Sequence, residues 1–103
     1  MSPETSPATS NGPLRLQFYT KQDCPLCEKA REAVARVLAK LSDIPVDVEY
    51  RDIESDEAWH EQYKLMIPVV EMDGAQLCLY HVHERRLGRR LKSAWKARRR
   101  SAQ

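Results

Sequence analysis

Nowhere in its 103 residues does the chain string together the ~18 apolar residues of a membrane-spanning helix, so none is expected. Residues 1–13 contain no Lys or Arg. They therefore offer neither the charged start of a secretory signal nor the arginines of a mitochondrial leader, and a cytoplasmic location is the default. With three prolines, small polar residues and an Asn11-Gly12 break, the same stretch has nothing to bury and is expected to be a disordered leader. The chain is too short for two domains; a body of roughly 85 residues buries ~60–70 % of its unfolded surface, enough for one small core. Three cysteines, two of them only three positions apart, suit cycling thiols in a reducing compartment better than a disulfide framework.

Charge is present but unevenly placed. The formal net charge of +2 combines residues 1–83, with eight Lys or Arg against fourteen Asp or Glu, and residues 84–103, with nine against one. The basic end could bind a polyanion. A solvated helix whose cations answer its own dipole and the acidic body is the plainer reading, so nucleic acid is not the expected partner.

The chemistry is concentrated in Cys24-Pro25-Leu26-Cys27. This stretch follows an apolar run, Leu14–Thr20, with Leu16 and Phe18 on one face, that reads as a strand. It opens a stripe, Ala30, Val34, Val37, Leu38, Leu41, that reads as an amphipathic helix. Cys24 then falls at the helix cap and Pro25 at the first helical position, where a missing N–H costs nothing. Unpaired N–H groups and the positive end of the helix dipole favour a thiolate there. With help from Lys21, Cys24 is expected to ionise at ~7 or below rather than at the ~8.5 of a free cysteine. Cys27, one turn on and facing the core side, completes a redox dithiol. The alternative for the same residues is a zinc site using Cys24, Cys27, Cys78 and His81, although Cys78 also fits as a small core residue.

The rest of the chain reads as support. Val46, Val48 and Tyr50 alternate with polar residues, as in an edge strand. A second helix is expected to start near Ser55, with Trp59, Gln62, Tyr63 and Met66 on one face. Residues 67–72 and 75–80, joined by Asp73-Gly74, read as a hairpin. Val82, Leu87, Leu91 and Trp95 mark a third helix, weakened by Gly88 and expected to fray from Lys96 to Gln103. Trp59 and Trp95 are expected to anchor their helices, and His60 to lie at the surface. The right-handed crossover rule makes the first two strands parallel. The fold class is thus α/β, β-α-β-α-β-β-α, a four-stranded mixed sheet with helices on both faces.

That order, with CxxC at the first strand-to-helix junction and Ile67-Pro68-Val69 opening the third strand, resembles the thioredoxin-like fold over residues 14–95. Within that fold, Tyr19 to Cys27 looks like the glutaredoxin active-site segment, with Leu26 where Tyr is usual. The resemblance implies a thiol–disulfide oxidoreductase that needs no cofactor or metal, in which Cys24 is the nucleophile and Cys27 resolves the mixed disulfide. It also implies that Pro68 is cis and that Ile67, with its backbone free, meets an extended substrate beside Lys21. The substrate would be a disulfide-containing protein or a low-molecular-weight thiol, recycled by glutathione or a thioredoxin-reductase system. Glutaredoxins that bind glutathione carry Gly-Gly and then Asp near the last helix; here Tyr80-His81-Val82-His83-Glu84 stands instead, and His81 and His83 could tune Cys24 from that place. A second class of function is a non-catalytic module of the same fold that docks through its basic C-terminal helix.

Overall fold

A computed structural model describes residues 12–101, without the side chain of Ser101. The expected leader, but for its last two residues, lies outside the described residues. The elements are β1 (Leu14–Thr20), α1 (Pro25–Lys40), β2 (Val46–Asp52), a 3₁₀ turn (Ile53–Ser55), α2 (Glu57–Tyr63), β3 (Val69–Met72), β4 (Ala75–Leu79) and α3 (Glu84–Ser101). They form one four-stranded sheet in the order β2-β1-β3-β4. β1 and β2 run parallel, from Leu14 opposite Val46 to Thr20 opposite Asp52. β3 is antiparallel to β1, with Tyr19 opposite Val69, and β4 is antiparallel to β3. The Asp73-Gly74 turn has φ of 53° and 82°, the positive values a two-residue hairpin needs.

Alternation along the strands divides the core between the two faces. Leu14, Leu16 and Phe18 of β1 and Val70 and Met72 of β3 pack with Ala30, Val34 and Val37 of α1 and Leu87 and Leu91 of α3. On the opposite face Tyr19 and Val69 pack with Ile53 and with Tyr63 of α2. This second layer is short, because α2 has only seven residues and covers the Tyr19 end of β1 alone. Arg15 and Gln17, on the same face of a central strand, are therefore exposed and half-buried respectively.

Four boundaries differ from the sequence reading. Asp56, not Ser55, caps α2, accepting from the Trp59 N–H at 3.1 Å; the Ser55 hydroxyl instead donates to the Asp52 carbonyl and closes the preceding turn. Strand pairing of β3 begins at Val69 rather than Ile67, and β4 ends at Leu79 because Tyr80 turns to φ 71°. Helix α3 does not fray at Lys96 but continues to Ser101. The Arg98 guanidinium secures its last turns by donating to the carbonyls of Gly12 and Pro13, just before β1. Among the described residues no carboxylate forms an ion pair with an α3 cation, and the helix's own acid, Glu84, pairs with Arg36 of α1 at 2.9 Å.

Gly88 faces α1 across the α1–α3 contact, where an added Cβ would meet Val37 Cγ1 at 3.9 Å, an ordinary van der Waals distance. Gly88→Ala is therefore expected to stabilise the fold by about 0.5–1 kcal/mol through lower unfolded-chain entropy and helix propensity. Urea unfolding checks it: the midpoint should rise at unchanged slope, and a lowered midpoint would mean that the two helices cannot admit a methyl group.

Candidate active site

Strand register decides which segments meet. The C-terminal end of β1 leads into the loop before α1, and the start of β3 lies beside it through the Tyr19–Val69 pair. The end of β4 lies beside the start of β3 through Val69 and Leu79. Residues 21–27, Ile67-Pro68 and Tyr80-His81 thus share one end of the sheet.

The cysteine pair is built by helix capping. Asp23, at φ 54°, turns the chain out of β1. Cys24 follows in extended conformation, φ −121° and ψ 97°, as the N-cap of α1, with Pro25 in the first turn. Its carbonyl accepts the Glu28 N–H at 3.1 Å. Its Sγ takes the place usually filled by a cap oxygen and accepts the Cys27 N–H at 3.2 Å. The two Cα atoms are 5.2 Å apart and the sulfurs are joined as a disulfide. Exposure separates the pair: Cys24 is partly open to solvent, whereas Cys27 is 2 % exposed. A shallow depression lined by Asp23, Cys24, Pro25 and Glu28 gives access to the outer sulfur.

The Ile67–Pro68 peptide is cis and Pro68 is buried. The backbone of Ile67 is only half free: its N–H donates to the Tyr63 carbonyl at 3.1 Å, because the chain leaves α2 through bonds from Met66 and Ile67 back to Tyr63. This corrects the expectation of an unengaged Ile67 backbone, for only the carbonyl lacks a backbone partner among the described residues. The Tyr80 N–H closes the loop from the other side, donating to the carbonyls of Pro68 at 2.9 Å and Met66 at 3.2 Å. Lys21 is exposed, and His81 and His83 pair with each other, ring centroids 4.1 Å apart.

The zinc alternative is not assembled. Among the described residues no three His, Cys, Asp or Glu side chains are placed to hold a metal ion. Cys78 is buried in the α1–α3 layer, where burial pushes its thiol up against the opposing pull of the His83 backbone and of Arg86 and Arg90.

Tyr63 is the positioning residue that the sequence pattern marked only as apolar. Its ring stacks on Tyr19 at 4.0 Å, and its hydroxyl donates to the buried Glu71 carboxylate at 2.8 Å. Its carbonyl holds the residues that lead into Pro68. The available signal was Glu71 itself, a lone acid in the apolar run from Ile67 to Met72. On the outer side of the stack, Arg51 donates to the Tyr19 hydroxyl at 2.7 Å and covers Trp59 at 5.1 Å.

Residues 15–92 match the family model described as a glutaredoxin-like domain (DUF836). A structural-genomics target protein from X. campestris, XcR50, is similar at 27 % identity and a TM-score of 0.62, over 76 % of this chain and 96 % of that one. The protein of unknown function SA0789 from Staphylococcus aureus is similar at 15 % identity and a TM-score of 0.64, over 82 % of this chain and 93 % of that one. The germline-specific thioredoxin protein Deadhead from Drosophila melanogaster is similar at 19 % identity and a TM-score of 0.54, over 82 % and 83 %. The last two likenesses concern the fold alone.

Burial, and then the Glu71 carboxylate, hold the Tyr63 hydroxyl proton well above the ordinary phenol value of 10.0. A raised folded-state value means that the contribution is fully present below pH 10.0 and is lost as pH rises above it, where the unfolded chain releases the proton first. Tyr63→Phe is expected to cost about 1–3 kcal/mol near neutral pH by leaving the Glu71 carboxylate under-satisfied. In urea titrations the gap between the two proteins should narrow as pH rises above 10.0. A gap independent of pH would mean that the folded chain holds the hydroxyl proton no more tightly than the unfolded chain does.

Proposed function

The chain belongs to the glutaredoxin-like domain family, and from that premise we propose that it is a thiol–disulfide oxidoreductase with Cys24 as nucleophile and Cys27 as resolving thiol. The observation that carries the assignment of roles is the asymmetry at the start of α1. The partly open Cys24 sulfur accepts a helix N-terminal N–H, while Cys27 is shut away behind it. A sulfur so placed is stabilised as the thiolate by that hydrogen bond and by the dipole of a sixteen-residue helix. In the reduced form the Cys24 thiolate attacks one sulfur of a substrate disulfide. A bond forms between Cys24 and that sulfur, the substrate's own S–S bond breaks, and the departing thiolate takes up a proton. Cys27 then gives up its proton and attacks the Cys24 sulfur, releasing the second substrate thiol and leaving the Cys24–Cys27 disulfide. Two electrons pass from the dithiol to the substrate, and an external thiol reductant restores the dithiol.

Within this reading Lys21, Ile67 and Pro68 receive the substrate: Lys21 as the exposed cation of the loop, Ile67 through its carbonyl, and Pro68 as the wall beside it. The redox partners are disulfide- or thiol-bearing molecules, with glutathione or a thioredoxin-reductase system as the source of electrons. The scarcity of cysteines supports a site of action in a reducing compartment such as the cytoplasm.

The test is the division of labour. Cys24→Ser should abolish reduction of a model disulfide, whereas Cys27→Ser should still make the first attack and stop at a mixed disulfide that mass spectrometry detects as a stable adduct. An active Cys24→Ser protein, or an adduct carried by Cys27, would reverse or remove the assignment.

A further inference from the structure

Helix α3 carries its cations on a repeat. Arg85, Arg89, Lys92, Lys96 and Arg99 recur every three or four residues and all are exposed, so they form one stripe along a flank of the helix. At about 1.5 Å per residue the stripe runs about 21 Å. Two depressions adjoin along it, where α3 meets the C-terminal end of α1 and the turn that follows. Lys92, Lys96, Arg99 and Arg100 line the first; Arg85, Arg89 and Lys40 of α1 line the second, which Lys92 also borders. Of the acids in this groove, Glu84 is engaged by Arg36 at 2.9 Å and only Asp43 is left. Trp95, half-buried, lines the first depression, so an aromatic surface lies among the cations. Like charges four residues apart weaken a helix, and cations that answered the acidic body would have carboxylates beside them. Among the described residues none forms an ion pair with an α3 cation, so the stripe carries a cost that the folded chain does not offset by pairing.

We propose that this groove binds a single strand of nucleic acid, with the stripe on successive phosphates and Trp95 against a base. Guanidinium forks and ammonium groups spaced along a helix neutralise phosphates in a row. A basic groove with an aromatic ring in it takes up a strand without reading its sequence. A membrane surface fits less well: Leu87 and Leu91, the apolar face that a surface helix would insert, are 0 % exposed in the α1–α3 core. An acidic protein also fits less well, because a protein interface has an apolar centre depleted of charge, whereas the apolar lining of this groove is buried or half-buried beneath its cations. The groove lies at the end of α1 remote from Cys24, so the proposal stands apart from the oxidoreductase reading.

Fluorescence anisotropy of the full chain with a labelled oligothymidylate of about 15 nucleotides tests it. Affinity should fall as salt rises, with log K against log salt at a slope of about −3, the value for four or five phosphates of a single strand. Two double variants remove the same charge from opposite flanks of α3. Lys92→Gln with Arg99→Gln, in the groove, should weaken binding at least tenfold at about 100 mM salt and flatten the slope by about 1.4. Arg86→Gln with Arg90→Gln, both exposed on the flank near Cys78, should change the affinity less than threefold. As competitors at equal concentration of negative charge, polyglutamate, inorganic polyphosphate and phosphatidylserine vesicles should each displace the oligonucleotide at least fivefold less well than unlabelled oligothymidylate does. Equal losses in the two double variants would mean that net charge alone attracts the strand. Equal competition by polyglutamate or by vesicles would assign the face to an acidic protein or a membrane, and equal competition by polyphosphate would remove the base contact. Any of these results, or no binding at about 50 mM salt, overturns the proposal.

Discussion

One hydrogen bond organises the chemistry of this molecule: the N–H of Cys27, the third residue of α1, directed at the Cys24 sulfur at 3.2 Å. At most helix starts an oxygen fills that role; here the cap is a sulfur. The sulfur therefore receives the unpaired donors and the positive end of the helix, while the same turn of backbone brings the second sulfur within bonding distance. Pro25 suits this arrangement, since it adds no donor and its fixed φ is already helical. On the proposed mechanism, acidity of one sulfur and proximity of the other are two results of one helical turn.

Everything else holds that turn in place and leaves one side of it open. α1 is clamped to the sheet by Ala30, Val34 and Val37, and α3 is packed beside it through Leu87 and Leu91, each of which is fully buried. Burial of a leucine of this kind contributes ~1.5–3 kcal/mol, far more than the exposed Arg36–Glu84 pair that also links the two helices. On the other face Tyr63 ties three elements together: the Tyr19 ring on β1, the Glu71 carboxylate on β3, and the residues entering Pro68. The cis-proline segment is thereby fixed from the α2 side and, through the Tyr80 N–H, from the β4 side.

Much of this was legible in the sequence because the deciding signals are local. A strand run ending at a CxxC, with proline just after the first cysteine, specifies a capped helix start. The alternation of Val46, Val48 and Tyr50 marked an edge strand, and Asp73-Gly74 marked a hairpin turn. What escaped depends on competition or on distance. Ser55 and Asp56 are both good caps, and Asp56 prevails because the Ser55 hydroxyl is already used to close the 3₁₀ turn on Asp52. In the last turns of α3, Arg98 donates to carbonyls 86 and 85 positions earlier, a contact no local pattern reports. The engaged N–H of Ile67 and the buried Tyr63–Glu71 bond likewise arise only once α2 and β3 are packed. Cys78 and His81, which in sequence could complete a metal site with the first two cysteines, fall apart in space because Cys78 faces the α1–α3 core.

In the proposed mechanism the start of α1 makes Cys24 the acidic, outward sulfur of the pair. The most direct measurement is the pH dependence of alkylation of the reduced protein, with the modified cysteine identified by mass spectrometry. Cys24 is expected to react first and to half-ionise well below the ~8.5 of a free cysteine. Half-ionisation of Cys24 at or above that value, or faster labelling of Cys27, would contradict it.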